Sequence, residues 1–316
     1  MSAPIGTARE GNAREPLSGS DFDLERVLRT KRDRTVSVVL PARNEAATIG
    51  AIVSVLSSRL VASGVVDQLV VMDDGSSDET ASIASAAGAD VVRTDSVAAD
   101  LGVGFGKGEA LWKSLLVTEG DIICWCDADV VDFDGSYVLG LVGALLSDDD
   151  AVFAKACYDR PIEHAGGSST NLTGGRVTEL VARPLIALLF PVLADIIQPL
   201  SGEFAATRRA IESVPFGRGY AVDLALLIDV SRAFGRDRIV QVDVGSRKHR
   251  HQPLLDLGVQ ATAITSMALR KAGVAQPATQ AVLRQPQDVE RTIQLGELPS
   301  LNSYRRRQRR NPARPA

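Results

Sequence analysis

From Thr35 to Asp129 the chain alternates short apolar runs with stretches in which apolar residues recur every three or four positions. "TVSVVLPARNE" is an apolar, β-branched run ending at Pro41, and "AATIGAIVSVLSSRLV" follows it at helical spacing. The alternation recurs as "VDQLVVMDDGSSDET" and then "TASIASAAGA", as the short strand "ADVVRTD", and as the helix "GKGEALWKSLLVTEG" before the strand "DIICWCDAD". Strands alternating with helices predict βαβ units, and therefore an α/β fold whose mostly parallel sheet is covered by helices on both faces. The second half is less regular. It offers apolar helices around Leu180 to Leu200, a helix from Asp223 to Phe234 and the strand "RIVQVDVGS", with no internal repeat.

Ligands of such sheets bind beyond the carboxyl ends of the strands. Here those ends carry Arg43-Asn44-Glu45, Asp73-Asp74 and Asp127-Ala128-Asp129, so the polar residues converge on one rim. On a strand alternate side chains share a face, so Asp127 and Asp129 can point the same way. Two carboxylates that close repel unless a cation or a donor-rich ligand sits between them.

Composition narrows the setting. A net charge of −4 over 316 residues argues against a general nucleic-acid binder. Only "SYRRRQRRNPARPA" is strongly basic, and residues 301–316 are expected to form a flexible, solvated tail. Residues 1–30 read as a flexible leader, because their polar start has no apolar signal-peptide core. Cys124, Cys126 and Cys157 suit buried thiols better than a disulfide framework, which points to the reducing cytoplasm. The most apolar segment, Leu180 to Leu200, is interrupted by Arg183, Pro184, Pro191 and Asp195 and makes a poor spanning helix. Burial in the core or in a subunit contact is expected instead, without stable membrane insertion.

Several short motifs have ordinary readings when taken singly. "PARNEAATIG" could be a strand end and a polar turn, and "DDGSSDET" a loop in which Asp78 caps a helix. "GVGFGKGEALW" sets glycines and Lys107 before a helix, an arrangement suited to a diphosphate. It is neither the phosphate-loop nor the dinucleotide glycine pattern. "TNLTGGRVTEL" likewise sets Gly175, Arg176 and Thr178 before a helix, as an anion site or as a plain glycine loop with an exposed arginine.

Together and in order, P-A-R-N-E, D-D-G-S-S-D, G-K-G-E-A-L and D-A-D resemble a nucleotide-sugar glycosyltransferase of the GT-A fold. G-K-G-E-A-L-W, "GGRVTEL", "PLSGEFAATR", "RGYAVD" and "RKHRH" more closely resemble the actinobacterial glucosyl-3-phosphoglycerate synthases. The resemblance runs roughly from Thr35 to His251. It implies glucose transfer, with retention, from UDP-glucose (in some members GDP-glucose) to the 2-hydroxyl of 3-phosphoglycerate, at the start of the route to methylglucose lipopolysaccharide. It also implies a nucleotide-sugar half over residues 31–150 and an acceptor half over 151–300 of one GT-A domain. The apolar segments of the second half point to a homodimer.

The same resemblance assigns residues. Asp129 and His249, the latter by register of R-x-H at Arg247-x-His249, would hold the divalent metal, expected to be Mg2+ with Mn2+ or Co2+ as alternatives. Pro41, Ala42, Glu45, Asp74, Asp127 and Ala128 would line the uridine side. Lys107 would meet the ribose–diphosphate region. Tyr220 and Asp223 would hold the sugar, although Asp223 stands where a glutamate is expected and could instead cap the following helix. Gly175, Arg176, Thr178, Arg247 and His251 would bind the acceptor, His251 standing where the family often has asparagine. The Leu200 backbone would lie near the reacting hydroxyl, so Asp129, Lys107, Leu200 and Asp223 form the expected catalytic group. A front-face displacement needs no protein nucleophile and leaves orientation and electrostatics to the enzyme. The competing readings are a mannosyl-3-phosphoglycerate synthase, a polyprenyl-phosphate sugar synthase, or a nucleotide-sugar-binding protein without catalysis.

Overall fold

The structure, a computed structural model, describes residues 14–101, 106–163, 169–172, 175–246, 254–274, 278–285 and 289–310. Its strands are β1 (Leu17–Ser18), β2 (Val36–Ala42), β3 (Gln68–Asp73), β4 (Asp90–Arg93), β5 (Ile122–Trp125), β6 (Phe153–Glu163), β7 (Ser169–Leu172), β8 (Phe204–Thr207), β9 (Phe216–Gly217), β10 (Ile239–Ser246), β11 (Gln280–Gln285), β12 (Val289–Gln294) and β13 (Glu297–Leu298). The α-helices are α1 (Leu24–Lys31), α2 (Ile49–Val55), α3 (Thr80–Ala86), α4 (Lys107–Val117), α5 (Ser136–Ser147), α6 (Arg183–Leu189), α7 (Arg208–Ile211), α8 (Val222–Phe234), α9 (Leu254–Lys271) and α10 (Leu301–Arg310).

One nine-stranded sheet runs through both halves of the chain in the order β1-β10-β6-β8-β5-β2-β3-β4, with β7 attached to β6. All neighbours along that order are parallel except β8, which is antiparallel to both β5 and β6. The sequence of β2 explains its central place: nearly every position is buried, as a strand between two helical layers requires. Val38 and Leu40 face a layer containing α2, α3 and α5, while Val39 faces the layer of α4, α6, α8 and α9.

β8 positions the rim. Trp125 pairs with Phe204, so Gly202 and Glu203, just before β8, run past Asp127, just after β5. β5 itself ends at Trp125, and Ala128 and Asp129 lie in a turn. Strand alternation therefore does not set the directions of the two aspartates; the turn does.

Two further expectations change. The leader is not flexible from residue 14 on, because β1 pairs with β10 and the buried Phe22 and Val27 anchor the segment against the body. Phe22 fits only because Gly143 has no side chain, a Cβ there meeting the ring at 2.5 Å. The basic tail is helical through Arg310 and docked at its start. Leu301 is buried, Tyr304 meets the Trp112 ring edge-on at 5.1 Å, and Arg305 pairs with Glu212 at 2.8 Å. The apolar segment 180–200 breaks at Phe190; Ile186, Phe190, Leu193 and Ile196 are buried, whereas Leu180, Leu188 and Val192 are exposed.

Candidate active site

The first two motifs brace each other across the ends of β2 and β3. Asn44, in the left-handed region at φ 58°, accepts from the Ser77 amide at 2.8 Å, and its own amide donates to Ser76 Oγ at 3.0 Å. The Glu45 amide donates to Thr80 Oγ1 at 2.8 Å and the Ala46 amide to Asp78 at 3.2 Å. Asp78 also accepts from the Thr80 amide at 3.1 Å, so it braces the start of α3 as well as the neighbouring loop. Pro41 and Ala42, at the end of β2, lie beside Met72 and Asp73. Thr48 ties this corner to the third motif by donating to the Ala128 carbonyl at 2.6 Å, with the Glu45 carboxylate 3.4 Å away.

Asp74 does more than cap a turn. Its buried carboxylate accepts from Thr94 Oγ1 at 2.9 Å and from the Gly106 amide at 2.7 Å, fixing the residue that precedes Lys107. Burial nonetheless holds its pKa above the usual carboxylate value. Behind it, Glu109 on the first turn of α4 accepts from Arg218 at 2.9 Å and from the Gly219 amide at 3.1 Å. Gly108 makes this contact possible, since a Cβ there would lie 2.0 Å from the Gly217 carbonyl oxygen. The start of α4 is thus pressed against the Phe216–Ala221 turn, which brings Lys107 to the start of α8.

Lys107 stands between two carboxylates. Its Nζ lies 3.0 Å from Asp127 and 3.4 Å from Asp223. Burial works to lower its pKa, but the two carboxylates outweigh burial and raise it above the ordinary lysine value, so the ammonium is kept. This ion pair also relieves the repulsion expected between Asp127 and Asp129. Asp223, in the first turn of α8, makes no capping bond; one oxygen faces Lys107, and the other is buried with no hydrogen-bond donor in reach among the described residues. Burial raises its pKa, with Lys107 and Lys155 opposing. Tyr220, three residues earlier, is exposed.

Beneath these groups lie residues that the motifs did not reveal. Lys155, buried in β6, donates to the Ser201 carbonyl at 2.6 Å and lies 4.0 Å from Asp223. Glu203 is fully buried beside it in the segment before β8. Gly202 lies so close to Asp127 that a Cβ would stand 2.0 Å from the carboxylate. A lysine inside the apolar run "AVFAKACY" was the available signal for Lys155; Gly202 gave none beyond its motif.

Of the residues expected to bind the acceptor, only Gly175 precedes the helix; Arg176 and the buried Thr178 lie within its first turns, contrary to the expectation, and the Glu179 amide donates to the Gly175 carbonyl at 3.0 Å. Arg176 is exposed, and Leu200 is half-buried immediately before Ser201. Arg247, His249 and His251 lie outside the described residues. Among the described residues no three His, Cys, Asp or Glu side chains gather as a metal cage. The Asp129 carboxylate, in the turn after β5, nevertheless fits a hard divalent cation of the kind that takes one or two protein oxygens and completes its shell with substrate phosphates. A retained ammonium between two carboxylates, with a buried acceptor oxygen beside it, suits an anionic ligand that also carries hydroxyl groups.

Residues 37–213 match the family model described as glycosyl transferase family 2. The chain is 45% identical over 246 residues to the glucosyl-3-phosphoglycerate synthase of Mycolicibacterium paratuberculosis, covering 77% of this chain and 74% of that one. It is also similar to the crystal structure of glucosyl-3-phosphoglycerate synthase from Mycobacterium tuberculosis in complex with Mn2+, uridine-diphosphate-glucose and phosphoglyceric acid. The TM-score is 0.80 at 40% identity, covering 90% of this chain and 95% of that chain. A crystal structure of the M. tuberculosis enzyme with Mn2+, uridine-diphosphate and glucosyl-3-phosphoglycerate gives a TM-score of 0.78 at 37% identity, over 92% and 97% of the two chains.

Proposed function

We propose that this chain, which belongs to glycosyl transferase family 2 and within it to the glucosyl-3-phosphoglycerate synthases, transfers glucose from UDP-glucose to the 2-hydroxyl of 3-phosphoglycerate with retention. The observation that carries the reading is Lys107 held between Asp127 and Asp223. It joins a diphosphate-binding cation at the start of α4 to a buried carboxylate suited to sugar hydroxyls. The solved M. tuberculosis relatives hold UDP-glucose and phosphoglyceric acid with Mn2+, which supports the same donor and acceptor here.

In this mechanism Pro41, Ala42, Glu45 and the braced loops around Asn44 and Ser77 receive the uridine. Lys107 stabilises the negative charge that develops on the departing diphosphate, and its raised pKa keeps it charged through the reaction. The Asp223 carboxylate, held beside Lys107 at the start of α8, accepts a glucose hydroxyl, with Tyr220 along the rim. Arg176, with the Gly175 and Thr178 backbone, receives the anionic acceptor; Arg247 and His251 belong to the same proposal. The acceptor oxygen bonds to the anomeric carbon on the face from which the phosphate oxygen leaves, near the Leu200 backbone. Its proton passes to that phosphate oxygen, so no side chain acts as base. Asp129, with His249, would hold a divalent cation, which when bound supplies Lewis-acid charge to the diphosphate. Mg2+ is the expected ion and Mn2+ is an alternative supported by the relatives. The free, buried cysteines accord with a cytoplasmic setting, and no helix among the described residues is long and apolar enough to cross a membrane.

The deciding experiment incubates the purified chain with UDP-glucose, 3-phosphoglycerate and Mg2+ or Mn2+. UDP release that requires both acceptor and metal, with an α-anomeric proton in the product by NMR, is the expected outcome. A β-linked product would overturn retention, and UDP release indifferent to 3-phosphoglycerate would overturn the acceptor.

A further inference from the structure

Lysine is an unexpected residue in the middle of β6. Lys155 pairs with Phe204 on one side and Gln241 on the other, and it is among the largest fully buried side chains of the protein. A buried ammonium is costly unless it is paired and hydrogen-bonded, and a methionine of similar length would fill the same space without that cost. Its surroundings supply compensation from three separate segments. Nζ donates to the Ser201 carbonyl at 2.6 Å, lies 5.2 Å from the centre of the Phe204 ring, and faces the donor-free oxygen of Asp223 at 4.0 Å.

We infer that Lys155 is a positioning residue for glucosyl transfer: from inside the sheet it holds the Ser201 carbonyl and faces the Asp223 carboxylate, fixing the sugar-binding carboxylate relative to the Leu200–Ser201 backbone. This rests on the roles proposed above for Asp223 and Leu200. Lys107 approaches one oxygen of Asp223 from the diphosphate side, and Lys155 faces the other from below, so the carboxylate stands between two cations. Lys107 is half-buried and stands at the ligand; Lys155 is sealed from solvent and acts only through what it holds. Burial brings the Lys155 pKa down to about 8, with Asp223 pulling it back up, so at neutral pH the cation persists. The nearby charged groups are Asp223, Lys107, Glu203 and Asp127. Removing Lys155 leaves the Lys107–Asp127 end of the site in place and releases the sugar end.

The test compares the unchanged chain with Lys155→Met, Asp223→Asn and the double variant, measuring kcat, KM for both substrates, and UDP affinity by calorimetry. Lys155→Met should lower kcat about a hundredfold while UDP affinity stays within about threefold, a split that general loss of structure would not produce. Because Lys155 works through Asp223, adding Lys155→Met to Asp223→Asn should cost less than a further tenfold. A kcat within threefold of the unchanged chain, a fall in UDP affinity as large as the fall in kcat, or a further tenfold or greater loss in the double variant would overturn the inference. If Lys155→Met alone does not fold, the double variant, which removes both members of the buried pair, is compared with Asp223→Asn by the same criterion. Absence of acceptor-dependent transfer in the unchanged chain would instead sink the proposed function, so the two failures are distinguishable.

Discussion

Gly202 and Asp129 separate two electrostatic jobs at the strand end. A Cβ at residue 202 would stand 2.0 Å from the Asp127 carboxylate, so that carboxylate must shift, and its pair with Lys107 is disturbed with it. Gly202→Ala should therefore keep the fold and lower kcat roughly tenfold to a hundredfold, the range of a lost charge-assisted contact of about 1.5–3 kcal/mol. Steady-state rates beside a thermal melt check this; unchanged rates would show that the Asp127–Lys107 pair is dispensable. Asp129→Ala addresses the metal instead. It should remove activity at any Mg2+ or Mn2+ concentration and abolish the rise in melting temperature that metal plus UDP confers on the unchanged chain. Metal-dependent turnover persisting in a folded Asp129→Ala chain would refute that assignment. That Asp127 and Lys107 meet at one rim was legible because each lies in a motif continuous in sequence at a strand end or helix start. Lys155 and Gly202 were not, because their partners Ser201, Asp223 and Asp127 come from distant segments that only the sheet brings together.

The first half of the sheet was legible as elements, since β2, β3, β4 and β5 are short apolar runs bounded by turn residues and α4 starts at its glycine-lysine motif. The antiparallel β8 was not, because four residues, "FAAT", carry no periodicity of their own. β6 was hidden by the lysine and the polar residues that interrupt its apolar pattern. The docking of α4 onto the Phe216–Ala221 turn was also invisible, although it sets Lys107 in place. That docking has a direct test. Gly108→Ala would put a methyl group 2.0 Å from the Gly217 carbonyl oxygen, a backbone atom that no rotamer change can move. Overpacking of this kind costs about 1–3 kcal/mol. The expected result is a lower urea midpoint together with weaker UDP binding, as α4 and Lys107 shift as one body. Full stability with full UDP affinity would mean that the turn yields freely and does not position the lysine.

At the scale of the molecule, one sheet unites the two halves, and the ends of the chain join it more than their polarity suggested: Phe22 and Val27 anchor the start, and Leu301 and Tyr304 anchor the basic helix. The apolar segment 180–200 is only half accounted for by that core. Leu180 is 74% exposed, Leu188 79% and Leu254 68%, with Leu255 beside it, and these belong to packed neighbours: the π-helical segment Thr178–Ala182 that runs into α6, α6 itself and α9. Several large apolar side chains left in water on adjoining elements are the usual mark of a protein–protein contact. A second copy of this chain is the occupant proposed here, as the expected homodimer requires. Sedimentation equilibrium should then give twice the 33.5 kDa of one chain. Leu188→Arg should shift the species towards one chain, because a charge at the centre of an apolar contact is desolvated without a partner. The protomer should keep its melting transition at low concentration, since the substituted side chain is mostly in solvent when the chain is alone. A single-chain mass for the unchanged protein would remove the dimer, and a two-chain mass untouched by Leu188→Arg would move the contact to another face.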